Sequence, residues 1–110
     1  MTNNDRLRMI RERFANNMAV CQRVSDVLSL LSNKTRFRIL CTLAEDDFCV
    51  NELLSVTGSG KVSNISQHLK IMTLAGILQK RRDQRQIIYS LRDERVRRLI
   101  AFLKSTYMKD

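Results

Sequence analysis

Apolar residues in the first third of the chain recur at steps of three and four, at Leu7, Ile10, Phe14, Met18, Cys21, Val24, Leu28 and Leu31. That spacing predicts one helical stripe from Asp5 to Leu31, with Asn16 and Asn17 as the place for a break. A stripe this long beside a small core reads as a partner helix, most simply for a symmetric dimer. The alternative is a frayed extension.

Ser32-Asn33 then supplies an N-cap for a helix over Lys34–Ala44, with Phe37, Leu40, Leu43 and Ala44 facing inward. Glu45-Asp46-Asp47 forms a turn, and Phe48-Cys49-Val50 is a very short strand. Cys49 stands three residues before Glu52, as the first residue of a capping box does, so a helix starts near Val50. It ends before the flexible run Thr57-Gly58-Ser59-Gly60. Another helix follows from Lys61 or Val62 to Ala75, with Gly76 as its stop. Residues 77–82 and 86–91 then form two strands around the tip Asp83-Gln84-Arg85. The last helix spans Asp93 to Tyr107, with Val96, Leu99, Ile100 and Leu103 on one face.

The predicted order, α-α-(β)-α-α-β-β-α, is mainly α with a two-stranded β wing, a winged helix-turn-helix. The organisation is a single domain over 1–110: N-terminal dimerisation helix 1–31, helix-turn-helix 50–76, wing 77–92 and C-terminal dimerisation helix 93–107.

Composition supports the helical reading. The chain has 110 residues, no Pro, no Trp, three Gly and an aromatic content of 5%, so its core is built from aliphatic residues and Met. A core this small often borrows burial from a second subunit. No apolar run approaches a membrane span, no signal peptide is visible, and three cysteines without a CxxC pair argue against a disulfide framework. The expected home is the cytoplasm.

Charge changes the picture more. Of the formal +9, a net +6 lies in residues 61–92, where Lys61, Lys70, Lys80, Arg81, Arg82, Arg85 and Arg92 face Asp83 alone. Charge concentrated in this way suits a polyanion, because neutralising phosphates releases counterions. At 100° per residue, Val62, Ile65, Leu69 and Met72 of the fourth predicted helix point inward, with His68 as a packing residue at their edge. Ser63, Gln67 and Lys70 point outward, flanked by Asn64 and Ser66. Asn and Gln pair with adenine edges in the major groove, Ser serves any base, and Lys70 suits a phosphate. On its own this is any amphipathic helix with a solvated face. The hairpin that follows carries Lys80, Arg81, Arg82 and Arg85 around one tip, where cations repel unless a polyanion lies against them. The expected partner is therefore a double-stranded DNA operator, with no membrane involved.

The runs Leu30-Leu31-Ser32-Asn33-Lys34-Thr35-Arg36-Phe37-Arg38-Ile39-Leu40, Val50-Asn51-Glu52-Leu53, Ser63-Asn64-Ile65-Ser66-Gln67-His68-Leu69 and Ala75-Gly76-Ile77-Leu78 resemble the arsenic-repressor (ArsR/SmtB) family over residues 24–103. The turn Thr57 to Val62 is one residue longer than the usual pattern. The resemblance implies a homodimeric winged-helix repressor that leaves its operator when an inducer binds or oxidises it.

The same resemblance bears on the unknown inducer. One family metal site uses a C-V-C-(D/E)-L run, which here reads Cys49-Val50-Asn51-Glu52-Leu53. Another uses D-x-H, which here reads Asp93-Glu94-Arg95, and an arginine cannot ligate a cation. No metal ligand or cofactor is therefore assigned. A metal- or metalloid-responsive repressor using cysteine thiolates stays as an alternative. Cys41 resembles the second-helix cysteine of the family's sulfide- and redox-responsive members, which makes it the first candidate for thiol oxidation or persulfidation. Those members pair it with a last-helix cysteine that this chain lacks, leaving Cys21 as the replacement. Cys49 at a helix N-terminus is a third candidate thiol. The plain alternative is that all three pack as small core residues.

Two other function classes remain. Catalysis is not expected: Gly58-Ser59-Gly60-Lys61 looks like the end of a phosphate loop, but position 55 is Ser and Val62 stands where Ser or Thr is needed. A winged-helix protein-interaction module would not need the cationic segment.

Overall fold

In the computed structural model, which describes residues 1–58 and 60–108, the long N-terminal stripe is two helices, α1 (Asn3–Asn16) and α2 (Met18–Leu31). The break falls at Asn17, whose side-chain amide donates to the Arg13 carbonyl at 2.8 Å while its N–H bonds back to Phe14. An Asn that serves its own preceding turn in this way ends the regular ladder. Thr2 and Asp5 close a reciprocal capping box at the start of α1. The chain divides into two compact units, residues 1–32 and residue 33 onward. In the first unit Leu7, Phe14, Met18, Val24 and Leu28 are all exposed.

The second unit holds α3 (Lys34–Leu43), β1 (Phe48–Cys49), α4 (Val50–Thr57), α5 (Val62–Leu74), β2 (Leu78–Asp83), β3 (Gln86–Leu91) and α6 (Glu94–Tyr107). Local chemistry explains most of these boundaries. Asn33 caps α3 by accepting the Arg36 N–H at 3.1 Å, and Glu52 reaches back to accept the Cys49 N–H at 2.9 Å at the head of α4. Gly58 ends α4 in the left-handed region, at φ 65°. Ser59, in the turn expected to be one residue longer than the pattern it resembles, lies outside the described residues. Gly76, at φ 79°, ends α5. Its N–H bonds to Thr73 and the Ile77 N–H to Met72, the paired bonds of a Schellman stop, with Met72 and Ile77 both buried.

The sheet has three strands in the order β1-β3-β2, all antiparallel. The two-strand wing therefore gains β1, which pairs Phe48 with Tyr89 and Cys49 with Ile88. Strand β2 runs one residue further than expected, through Asp83, so Gln84 and Arg85 alone form the tip. Gln84 takes a φ of 58°, the one non-glycine residue with positive φ among those described.

The core of this unit joins Ile39, Leu40 and Leu43 of α3 to Leu53 of α4 and to Ile65, Leu69 and Met72 of α5. Ile77, Leu78, Ile88, Leu91, Val96 and Ile100 complete it from the sheet and α6. Two expectations fail here. Ile39, left off the inner face of α3, is wholly buried, because α4, α5 and β3 all pack on this helix. Val62, expected inward, is 44% exposed, since the first turn of α5 runs past the edge of the core.

Asp93 begins α6 and accepts from the backbone N–H groups of Arg95 (2.9 Å) and Val96 (3.4 Å). It also takes Arg95 Nε at 3.2 Å and Nη2 at 3.1 Å, and these bonds, the Arg95 side chain first, hold its pKa below the ordinary carboxylate value. A depressed folded-state pKa stabilises the protein above the unfolded value, and that stability is lost as pH falls through the folded one. Asp93→Ala should lower unfolding stability by about 0.5–2 kcal/mol at pH 7. The difference from wild type should shrink in urea titrations repeated toward acid pH.

Candidate nucleic-acid interface

The buried stripe Ile65, Leu69, Met72 fixes which way α5 faces. Ser63, Asn64, Gln67 and Lys70 are exposed on it, and Ser66 is half-buried at the margin. All five sit on one helix of one unit, directly before the hairpin. On the hairpin Lys80, Arg81, Arg82 and Arg85 are all exposed. They are not equivalent. Arg81 spans β3 to pair with Asp47 at 2.9 Å, and Arg82 donates its Nε to the Gln84 carbonyl at 3.1 Å, stiffening the tip. Asp47, from outside the hairpin, thus neutralises part of its charge, which counting basic residues along the chain does not reveal.

Helical spacing gives His68 a packing role only. It is half-buried, and its Nδ1 accepts from Arg36 Nε at 3.1 Å across 32 residues of chain. An arginine N–H only donates, so the imidazole is neutral at this nitrogen and its proton sits on Nε2. Burial first, then the Arg36 charge, push the His68 pKa below its ordinary value, in keeping with that neutral form. The signal for this contact is tertiary: nothing in the spacing of positions 36 and 68 marks it.

The three cysteines are free and differently placed. Cys49 is buried at the head of α4, and Cys21 is half-buried on α2 of the first unit. Cys41 is half-buried and lines an open groove of about 500 Å³ with Phe37, Thr42, Glu45, Phe48 and Lys104. Lys104 and Glu45 form an ion pair there. Burial pushes the Cys41 thiol pKa up, with Lys104 lowering it and Glu45 raising it. The thiol therefore stays protonated at neutral pH. The Asp93 carboxylate is taken by Arg95 and the helix cap. Among the described residues no three His, Cys, Asp or Glu side chains converge on one point. No described helix is long and apolar enough to cross a membrane.

The sequence profile described as "Bacterial regulatory protein, arsR family" matches residues 21–80. A biofilm growth-associated repressor of Xylella fastidiosa is 33% identical over 84 residues, covering 76% of this chain and 73% of that protein. The HTH-type transcriptional regulator YgaV of Escherichia coli is 34% identical over 90 residues, covering 81% and 90%. The crystal structure of the transcriptional repressor BigR from Xylella fastidiosa superposes with a TM-score of 0.73 at 31% identity, covering 100% of both chains.

The raised Cys41 pKa gives a direct expectation. Carbamidomethylation of Cys41 by iodoacetamide, followed site by site by mass spectrometry, should reach half its maximal rate above the ordinary thiol range. Glu45→Gln, which removes a nearby negative charge, should move that midpoint down.

Proposed function

The chain belongs to the arsR family of bacterial regulatory proteins, and from that premise we propose that it is a homodimeric, sequence-specific DNA-binding transcriptional repressor released from its operator by an inducer. The observation that carries this reading is the exposed polar face of α5, followed at once by an exposed cationic hairpin in the same unit. Residues 50–76 are the helix-turn-helix and 77–92 the wing. Ser63, Asn64, Ser66 and Gln67 read base edges in the major groove, Lys70 takes a phosphate, and Lys80, Arg81, Arg82 and Arg85 follow the backbone or enter the minor groove. Segments 1–31 and 93–107 form the dimer interface. Their exposed apolar side chains, among them Phe14, Met18, Leu28, Phe102 and Tyr107, would be covered there.

Affinity and specificity are separable in such a protein. A duplex selected by the wild-type protein from a random pool serves as the operator. Gln67→Ala should cost about 1–3 kcal/mol on that duplex and relax sequence preference, with little change in salt dependence. Arg82→Ala should weaken all duplexes alike and flatten the dependence of log K on log salt by about one for each copy of the site. Wild-type binding that is flat with salt would instead favour a winged-helix module for a protein partner.

For the inducer, the supporting feature is the groove at Cys41. It gives a small oxidant or a polysulfide access to the sulfur, although the thiol must first lose its proton. Attack of the thiolate on tetrasulfide forms a new S–S bond at Cys41 and expels a shorter hydropolysulfide. Tetrasulfide-treated protein should shift the selected duplex more weakly than reduced protein in band-shift titrations. Equal affinities before and after treatment would remove thiol chemistry as the inducing event.

A further inference from the structure

Two arginines among the described residues are half-buried, Arg36 and Arg97, and they are satisfied very differently. Arg97 donates to the carbonyls of Ala44 (3.3 Å) and Leu91 (3.1 Å) and pairs with Glu94 at 3.3 Å. Arg36 makes one side-chain hydrogen bond, to the neutral imidazole of His68, and has no carboxylate partner among the described residues. A guanidinium carries five N–H donors in a flat fork, and taking such a cation partly out of water is costly unless an anion faces it. Using Nε on His68 leaves the two Nη groups, the edge that grips phosphate bidentately.

The location says which anion. His68 shares one flank of α5 with Asn64 four residues before it and Ile71 three residues after it, both exposed. Arg36 is on the first turn of α3, where Asn33 caps the helix. The guanidinium therefore lies beside the reading face of α5, on the flank opposite Ser66.

We propose that Arg36 is a phosphate-binding residue of the DNA interface, and that His68 is a positioning residue that holds its Nε and aims its Nη groups at the backbone. The proposal rests on the DNA-binding reading above. It adds a third cationic contact, from α3, to those of α5 and the hairpin. The chemistry is the same for any duplex, so Arg36 contributes affinity and register rather than sequence preference.

The test uses the whole 110-residue chain, the selected duplex and a random-sequence duplex, with affinities measured from low to high salt. Arg36→Gln should weaken both duplexes by a similar factor, roughly ten- to hundredfold, and lower the salt slope by about one per copy of the site. His68→Leu should lose part of that affinity. His68→Asn should keep it, because the Asn oxygen can accept from Arg36 much as Nδ1 does. Arg36→Lys should retain the salt slope while losing some affinity, which separates charge from the fork geometry. Thermal melts of each variant accompany the titrations. An Arg36→Gln protein with an unchanged salt slope overturns the proposal, whether its affinity holds or falls together with its melting temperature. If Arg82→Ala flattens the slope and Arg36→Gln does not, Arg36 alone is misassigned. If wild-type binding shows no salt dependence, the DNA-binding reading falls and takes this one with it.

Discussion

Three wholly buried side chains on one helix, Ile65, Leu69 and Met72, constrain everything else in the second unit. They fix the rotation of α5 about its axis, and with it which residues face solvent. Burying an aliphatic side chain of this size is worth roughly 2 kcal/mol, so turning the helix by one residue would forfeit several such contributions at once. The Schellman stop at Gly76 then fixes where the chain leaves. Ile77 closes the motif against Met72 and carries the chain straight into β2. The polar face of α5 and the cationic hairpin are therefore set relative to each other by packing and one turn, with no flexible joint between them.

Features decided by near neighbours along the chain are legible in the sequence alone. Asn33 as a cap, Glu52 reaching back to Cys49, and Gly76 as a stop each follow from groups three to five residues apart. The break in the N-terminal stripe belongs with them, because Asn17 acts on its own preceding turn. Features decided by distant parts of the chain are not legible in this way. Ile39 is buried because three elements converge on α3, and periodicity on a single helix cannot report that. The pairing of β1 with β3, the Arg81–Asp47 bridge and the Arg36–His68 bond join positions that only the fold brings together. Of the candidate site, residue identities are readable from the sequence, whereas their electrostatic partners are not.

The cysteines illustrate the same division. The family resemblance makes Cys41 the leading thiol, and the groove beside it agrees with a role that needs access. Its surroundings work against easy ionisation: burial raises the pKa and the Lys104 charge offsets this only in part, since Lys104 is itself engaged by Glu45. A thiol kept protonated is a slow nucleophile toward weak oxidants, but it is also protected from indiscriminate oxidation. Any inducer acting there has to deliver either a strong electrophile or a change in the Lys104–Glu45 pair that lets the thiolate form.

Net charge is a poor measure of how a basic protein meets a polyanion, because cations differ in what they must give up to bind. Arg81 must leave Asp47, and Arg95 is held by Asp93, so each would exchange one anion for another and gain little. Arg97 is held by two carbonyls and Glu94 inside its unit, so it too has contacts to give up before it can bind outward. Lys70, Lys80 and Arg85, exposed and outside the ion pairs of the described residues, release counterions when they meet phosphate and give up nothing internal. Arg36 belongs in a class of its own, partly desolvated already and with no anionic partner among the described residues, so its cost is incurred on folding and not on binding. The +9 of the whole chain therefore overstates the charge available for binding, while the first turn of α3 contributes more than its sequence context suggests.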